Sequence, residues 1–107
     1  MERAFQIDPQ NPIAFKERSW LRYRQGNYAD AATDATEAIR LDPKQSYYYF
    51  TRATAYNGLD RYDEALADLE IAIRLSPNNS EYRFARAAVF VNRGKWPSGL
   101  VEVLSAK

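Results

Sequence analysis

Neighbouring acidic residues are the first feature of this chain that could carry chemistry, because paired carboxylates can act as general acid and base. Such pairs occur at Asp63 with Glu64 and at Asp68 with Glu70. The sequence has no histidine and no cysteine, so the commonest general base and any thiolate or disulfide chemistry are excluded. It also lacks phosphate-loop and metal-site motifs. We therefore expect these carboxylates to be solvated and to stabilise helix starts through the helix dipole. We expect no enzyme activity, metal or cofactor.

A recurring arginine is the second candidate for chemistry. Arg18, Arg52 and Arg86 are 34 residues apart, and an acidic residue follows each of them sixteen positions later. These acidic residues are Asp34, Asp68 and Glu102. An arginine series could bind an anion, but the matched acidic series favours three ion pairs, each between the two helices of one hairpin and at least partly buried.

Both series belong to an internal repeat of 34 residues that runs through the whole sequence. The prolines at positions 9, 43 and 77 follow this step, as do many alanines and aromatic residues. Each period has the apolar spacing of two helices, with full units at 12–45 and 46–79 and an incomplete unit at 80–107. We expect residues 1–11 to be the remnant of a preceding unit. The sequence predicts one all-α domain over residues 1–107, in which stacked hairpins share a core.

Local signals indicate how each hairpin closes. Asn11 is placed to cap a helix that begins at Pro12, and Asn79 or Ser80 is placed to cap the first helix of the third unit. Gly26 and Gly94 suit a left-handed turn between paired helices. Small residues are expected where the helices of a pair cross, at Ala31, Ala38, Ala65 and Ala72. Aromatic residues are expected to fill the wedge between neighbouring repeats, at Tyr28, Tyr62 and Trp96.

The second unit carries a recognisable pattern of aromatic, small and proline positions. These positions are Tyr49, Arg52, Ala53, Tyr56, Ala65, Leu69, Ala72 and Pro77. Together with the endings AIRLDP at 38–43 and AIRLSP at 72–77, they resemble the tetratricopeptide repeat family over the whole chain. The chain departs from that family in having arginine in every unit where leucine is usual. The resemblance implies a right-handed superhelix, or solenoid, of stacked helix-turn-helix hairpins.

Pentatricopeptide repeats, which read RNA, are the nearest alternative family. Their period is slightly longer and they lack the closing proline. The net charge of +1 also gives no basis for binding a polyanion. We therefore do not expect a nucleic-acid partner.

The resemblance also implies a binding surface, because the first helices of such arrays line the concave face. The implied partner-binding positions are Ile13, Lys16, Trp20, Tyr23 and Arg24 in the first unit, Tyr47, Phe50, Thr54 and Asn57 in the second, and Phe84 and Val91 in the third, with Glu81, Ala88 and Asn92 beside them. This lining is aromatic and apolar, with two cations at one end. It favours a peptide or partner protein with apolar anchors. The alternative is that some of these rings pack on neighbouring helices.

One subclass of the family grips the C-terminal carboxylate of heat-shock chaperones with a clamp of Lys and Asn side chains. The corresponding positions here are Lys16, Trp20, Thr51, Glu81 and Ala85. Lys16 alone matches the clamp, and the carboxylate of Glu81 would repel a carboxylate ligand. A chaperone tail is therefore not the expected partner.

The last stretch of the sequence supports a second function. Val101 and Leu104 are apolar where the earlier units have threonine, alanine or glutamate. A helix with this pattern would pack on a further segment or on another copy of the chain. Self-association into a homo-oligomer, through the open ends or the groove, is therefore the alternative to partner binding.

The apolar runs of the sequence are short. None approaches the ~20 residues that a membrane helix needs, and Met1 to Pro9 lack the apolar stretch of a signal peptide. We therefore expect no membrane insertion and favour a cytoplasmic location.

Overall fold

The computed structural model describes residues 8–94, and these residues form five α-helices and no strand. The helices are α1 (Pro12–Arg24), α2 (Tyr28–Leu41), α3 (Ser46–Gly58), α4 (Tyr62–Leu75) and α5 (Ser80–Arg93). α1 packs along α2, α3 packs along α4, and α5 packs on both α4 and α3. The all-α repeat solenoid predicted from the sequence is confirmed. None of the described helices has both the length and the apolar character to span a membrane.

The helix starts follow the predicted caps. Asn11 precedes Pro12, and its side-chain oxygen accepts a hydrogen bond from the Ile13 backbone N–H at 3.0 Å. Asn79 caps α5 in the same way and accepts from the Glu81 backbone N–H at 2.9 Å. Each cap satisfies a backbone donor that has no partner inside the helix, which fixes where α1 and α5 begin.

The turn within each hairpin needs a residue with positive φ. Gly26 has a φ of 83° and Gly94 has a φ of 79°, which confirms the predicted left-handed turns. Asp60 takes this role in the second hairpin with a φ of 62°. Aspartate tolerates this conformation better than most residues with a side chain. Its carboxylate also accepts a hydrogen bond from the Tyr62 hydroxyl at 2.8 Å, which helps to hold the turn.

Small residues set the separation of the paired helices. The predicted crossing residues Ala31, Ala38, Ala65 and Ala72 are all completely buried, at 0% exposure. A methyl group at each crossing lets the two helix axes approach closely, so that larger neighbours such as Leu69 can fill the remaining space.

Two of the three predicted ion pairs form inside hairpins. Arg52 Nε and Nη2 donate to Asp68 Oδ2 and Oδ1, both at 2.9 Å, and Arg18 makes the same two bonds to Asp34. The Asp34 and Asp68 side chains are only 2% and 4% exposed. Burial raises the pKa of the Asp68 carboxyl, and the hydrogen bonds from Arg52 oppose that increase. The same hydrogen bonds raise the pKa of Arg52.

The arginine series also connects neighbouring hairpins, which the sequence spacing did not indicate. Arg52 Nη1 donates to Thr36 Oγ1 on α2 at 3.2 Å. Arg86 Nη1 donates to Glu70 Oε2 on α4 at 3.0 Å. The predicted partner of Arg86, Glu102, lies outside the described residues. These arginines therefore help to hold successive hairpins together.

One of the three predicted wedge residues packs directly on the next hairpin. The ring of Tyr28, at the start of α2, lies against Gly58 at the end of α3, and a Cβ on Gly58 would come within 2.8 Å of that ring. The equivalent Tyr62 packs on the core cluster that α3, α4 and α5 share. Trp96 lies outside the described residues. The absence of a side chain at Gly58 is what lets Tyr28 fill the first wedge.

Replacing Asp68 with alanine should destabilise the protein strongly, because it leaves the Arg52 guanidinium without its partner. We expect the free energy of unfolding to fall by about 3 kcal/mol, near the lower limit for a broken buried pair because Arg52 keeps 21% of its side chain exposed. Urea unfolding followed by far-UV circular dichroism measures this loss. The matched control, Glu70→Ala, removes the more exposed pair with Arg86 and should cost less than ~1 kcal/mol. Equal losses from the two variants would contradict the structure.

Replacing Gly58 with alanine should destabilise the wild-type protein but stabilise a variant in which Tyr28 is already alanine. In the wild-type chain we expect a loss of about 1–3 kcal/mol, because the ring of Tyr28 must move. In a Tyr28→Ala background the same change should stabilise by up to ~1 kcal/mol, because only the higher helix propensity of alanine remains. Thermal unfolding of the wild type and the three variants measures both effects. If Gly58→Ala stabilises both backgrounds, Tyr28 does not occupy this wedge.

Candidate functional site

The first helices of the hairpins lie on the inside of a curved array. α1 contacts α3, and α3 contacts α5, whereas the described second helices α2 and α4 make no close contact with each other. Helices that approach on one side and separate on the other give the array a concave face. We call the surface formed by α1, α3 and α5 on this side the groove.

A row of aromatic rings crosses the groove from α1 to α5. Neighbouring ring centroids are 5.5 Å apart for Tyr23 and Trp20, 6.3 Å for Trp20 and Tyr47, and 5.5 Å for Tyr47 and Phe50. The row ends with Phe50 against Tyr82 at 5.2 Å. Tyr23 and Trp20 meet edge to face and the other pairs are tilted, and these geometries and distances are those of favourable ring pairs. The row therefore joins successive first helices, and its partly exposed members Tyr23, Trp20 and Tyr47 line the groove.

The predicted binding residues differ in how much surface they offer. Ile13, Phe84 and Val91 are 55%, 75% and 55% exposed, respectively. Arg24 is also exposed, whereas the side chains of intermediate burial are Lys16, Trp20, Tyr23, Tyr47, Thr54 and Asn57. Phe50 is only 8% exposed and belongs to the core between α3 and α5. Phe50 thus packs mainly on neighbouring helices, as the alternative interpretation of these rings expected, and only an edge of its ring is accessible to a ligand. Val101 and Leu104, predicted to mediate self-association, lie outside the described residues.

The charged groups at the α1 end of the groove are partly engaged within the protein. Lys16 Nζ lies 3.4 Å from Glu17 Oε2 and 5.5 Å from the centre of the Tyr47 ring. Burial raises the pKa of the Tyr47 hydroxyl, and the carboxylate of Glu81 adds to the increase. Tyr47 therefore stays neutral at physiological pH and acts as a polar neighbour of the row.

The positions that correspond to a carboxylate clamp do not form one. Thr51 is 3% exposed, and its hydroxyl donates to the Tyr47 carbonyl within α3 at 2.8 Å. Trp20 Nε1 is buried and has no acceptor in normal hydrogen-bond geometry among residues 8–94. The nearby indole N–H still lowers the pKa of the Tyr47 hydroxyl, and so opposes the larger effect of burial on that pKa. Glu81 is exposed and brings a negative charge to the groove. Lys16 is thus the single clamp-type cation among the five corresponding positions.

A pair of amides spans the groove between α3 and α5. Asn92 Nδ2 donates to Asn57 Oδ1 at 3.2 Å. Each amide group can make further hydrogen bonds to a ligand, because Asn carries two donors and an acceptor with two lone pairs. This pair gives the otherwise apolar surface a polar rim.

An apolar cleft of about 160 Å³ lies beside this amide pair. Phe50, Thr54 and Asn57 of α3 form one wall, Ala85 and Ala88 of α5 form the other, and Leu69 of α4 lies at the bottom. Sequence reasoning missed this cleft. The signal that could have found it is the change at equivalent repeat positions from Trp20 to Thr54, which replaces an indole by a much smaller side chain.

The acidic pairs considered for catalysis are held by arginines. Arg61 donates to both carboxylate oxygens of Glu64, and this hydrogen bonding lowers the pKa of Glu64. Arg93 Nη1 lies 3.2 Å from Asp63 Oδ1. Within residues 8–94, no group of three or more acidic side chains is arranged to hold a metal ion.

Solved structures similar to this chain are helical repeat domains. The first tetratricopeptide repeat (TPR) domain of Spaghetti (RPAP3), bound to the HSP90 peptide SRMEEVD, matches with a TM-score of 0.74 and 29% identity, over 77% of this chain and 65% of that chain. The second such domain of human RPAP3, in complex with the HSP70 peptide SGPTIEEVD, matches with a TM-score of 0.74 and 28% identity, over 77% of this chain and 68% of that chain. The Arabidopsis OM64 TPR domain matches with a TM-score of 0.70 and 30% identity, over 74% of this chain and 65% of that chain. The matched region therefore spans about two thirds of each of these structures.

The comparison with protein-family models agrees with the structural comparison. Curated protein sequences give no match to this chain. A family model described as "Tetratricopeptide repeat" matches residues 2–46, 16–80 and 50–106. Its matches cover nearly the whole sequence, and the helices they span stack as hairpins in series. The chain belongs to the tetratricopeptide repeat family.

Proposed function

We propose that this chain is a protein-interaction scaffold that binds a peptide or a segment of a partner protein through the groove. The observation that carries the proposal is the exposure of large apolar side chains on the concave face, with Phe84 at 75% and Val91 at 55%. Apolar patches rimmed by polar groups are typical of interaction sites. The half-buried rings of Trp20 and Tyr47 extend this surface toward α1, and such residues contribute strongly to binding energy when a ligand covers them.

The similar structures support peptide binding as the general activity. Two of them hold peptides from HSP90 and HSP70. Those peptides end in EEVD, and we propose that this chain prefers a different ligand. Thr51 is buried and Glu81 is negative where a carboxylate would need donors or cations. An apolar segment, with its backbone beside Asn57 and Asn92, fits the lining better.

We propose no catalytic role for this stretch of the chain. Glu64 and Asp68 are held by Arg61 and Arg52, so neither carboxylate is poised to exchange a proton with a substrate. The proposed binding function needs no reactive group, only the exposed surface of the groove.

A charge placed in the groove should weaken ligand binding without unfolding the protein. The probes are peptides selected from a random displayed library on the wild-type chain. Phe84→Asp should weaken their binding at least about ten-fold, because an apolar contact is replaced by a hydrated carboxylate. Isothermal calorimetry measures the affinities, and thermal unfolding checks that the variant stays folded.

The matched control for this substitution is Leu75→Asp. Leu75 is also a large apolar residue exposed to 43%, but it lies on α4, away from the groove. The affinities of the selected peptides should be unchanged in this variant. Peptides that bind Phe84→Asp as well as they bind the wild type would show that the groove is not the binding site. A library that yields no binder at all would contradict the scaffold function.

Self-association is the second candidate function. Ile13 and Phe84 expose apolar surface on α1 and α5, the outermost described first helices, so two copies could bury these faces against each other. Light scattering at millimolar concentration should then give a mass above that of one chain, and Phe84→Asp should restore the monomer. A wild-type chain that stays monomeric at this concentration rules out this candidate and leaves the peptide-binding proposal intact.

A further inference from the structure

We propose that the cleft between α3 and α5 is a subsite that receives one aromatic side chain of the bound partner segment. This inference rests on the proposed peptide-binding function and specifies the chemistry of its ligand. It is derived from a comparison of two junctions within the same chain, the one between α1 and α3 and the one between α3 and α5.

The first junction is filled by the chain's own aromatic side chains. Trp20 and Tyr23 on α1 pack edge to face with ring centroids 5.5 Å apart. The Trp20 ring also lies 6.1 Å from the Phe50 ring on α3, and its indole nitrogen is buried. Two rings thus occupy the space on the groove side of this junction.

The second junction is formed by the equivalent helices of the next two repeats, α3 and α5, but it lacks these rings. A shift of one 34-residue repeat places Thr54 at the position of Trp20 and Asn57 at the position of Tyr23. Thr54 and Asn57 line the cleft, together with Ala85 and Ala88 of α5. The cleft therefore lies where the second repeat has lost the aromatic bulk of the first.

The size and lining of the cleft suit an aromatic ring. Its volume is about 160 Å³, and an apolar cavity of roughly 150 Å³ is large enough to bind benzene. The Phe50 ring in its wall can pair with an incoming ring in a tilted geometry, as it already does with Trp20 and Tyr82. The Asn57 and Asn92 amides at the rim can bind the backbone that carries that ring, or an indole N–H.

The test uses single capped amino acids as probes of the side-chain preference. The intact chain, with labelled methyl groups, is titrated with N-acetyl-tryptophanamide, N-acetyl-phenylalaninamide and N-acetyl-alaninamide and followed by NMR. We expect saturable shifts of the methyl signals of Leu69, Ala85 and Ala88 with the two aromatic probes and none with the alanine probe. Shifts that are absent, or equal for all three probes, would overturn the proposal.

A variant that fills the cleft should remove this response. Ala88→Leu places a larger side chain on the α5 wall and should weaken aromatic-probe binding at least ten-fold. Ala67→Leu makes the same change at an exposed position of α4 and should leave binding as in the wild type. Should Ala88→Leu not fold, Thr54→Trp restores the residue type of the first junction and should block the probes in the same way. Aromatic binding that survives in a folded cleft-filling variant would place the site elsewhere.

The outcome can be separated from that of the proposed function. If the probes leave the cleft signals unchanged while library peptides still bind and still depend on Phe84, the subsite is wrong and the scaffold function stands. If no library peptide binds although the aromatic probes saturate the cleft, the aromatic preference of the cleft stands, but the scaffold function is wrong and the cleft is not a subsite for a partner segment.

Discussion

The packing of one hairpin on the next is the constraint on which this structure depends. A single pair of helices of this length cannot bury its apolar face, so each hairpin must complete its core with residues from its neighbour. Tyr49 and Phe50 of α3, Leu69 of α4 and Tyr82 of α5 belong to one cluster for this reason. Buried alanines bring the two helices of a hairpin close, and aromatic rings fill the wider gaps between hairpins. In the described residues, apolar surface is exposed on the groove side where this packing leaves a ring uncovered or a gap unfilled.

The surface that such an array presents follows from differences between otherwise equivalent positions. The positions that set the fold change little from repeat to repeat, as the buried Ala31 and Ala65 show. A position on the groove side tolerates side chains of different size, because a large residue there packs on the next first helix whereas a small one leaves a cleft. Trp20 and Thr54 are the two outcomes at one such position. Three copies of one helical pattern can thus present a surface that differs along its length.

The sequence predicted the repeat frame well because its signals are local or periodic. The caps at Asn11 and Asn79, the turn glycines and the crossing alanines each depend on residue type at a fixed place in the period. The positive φ at Asp60 was not predicted, since no glycine marks this turn in the sequence. The spacing also predicted the Arg52–Asp68 pair, because sixteen residues connect facing positions of one hairpin.

The candidate site was less predictable, because a helix face that points into the groove also points toward the next first helix. Phe50 and Phe84 occupy equivalent positions and share a residue type, yet they are 8% and 75% exposed. Tyr82 covers the ring of Phe50, and no described helix follows α5 to cover Phe84 in the same way. Exposure at these positions depends on the neighbouring repeat, so it cannot be predicted from the apolar spacing within a single helix.

The arginines that replace the family's usual leucine form bonds between hairpins, and these bonds affect the curvature of the groove. A leucine could fill the space beside α4, but it could not donate hydrogen bonds. Arg52 holds the buried Asp68 within its own hairpin and reaches Thr36 on the hairpin before it. Taking Asp68 out of water is costly, so the bidentate pair fixes the position of the guanidinium closely. A guanidinium held in this way restricts sliding of α2 against α3, because such movement would strain a charge-assisted bond or lose the bond to Thr36. The angle between hairpins, and with it the curvature of the groove, is therefore coupled to an ion pair on the opposite side of the first helices.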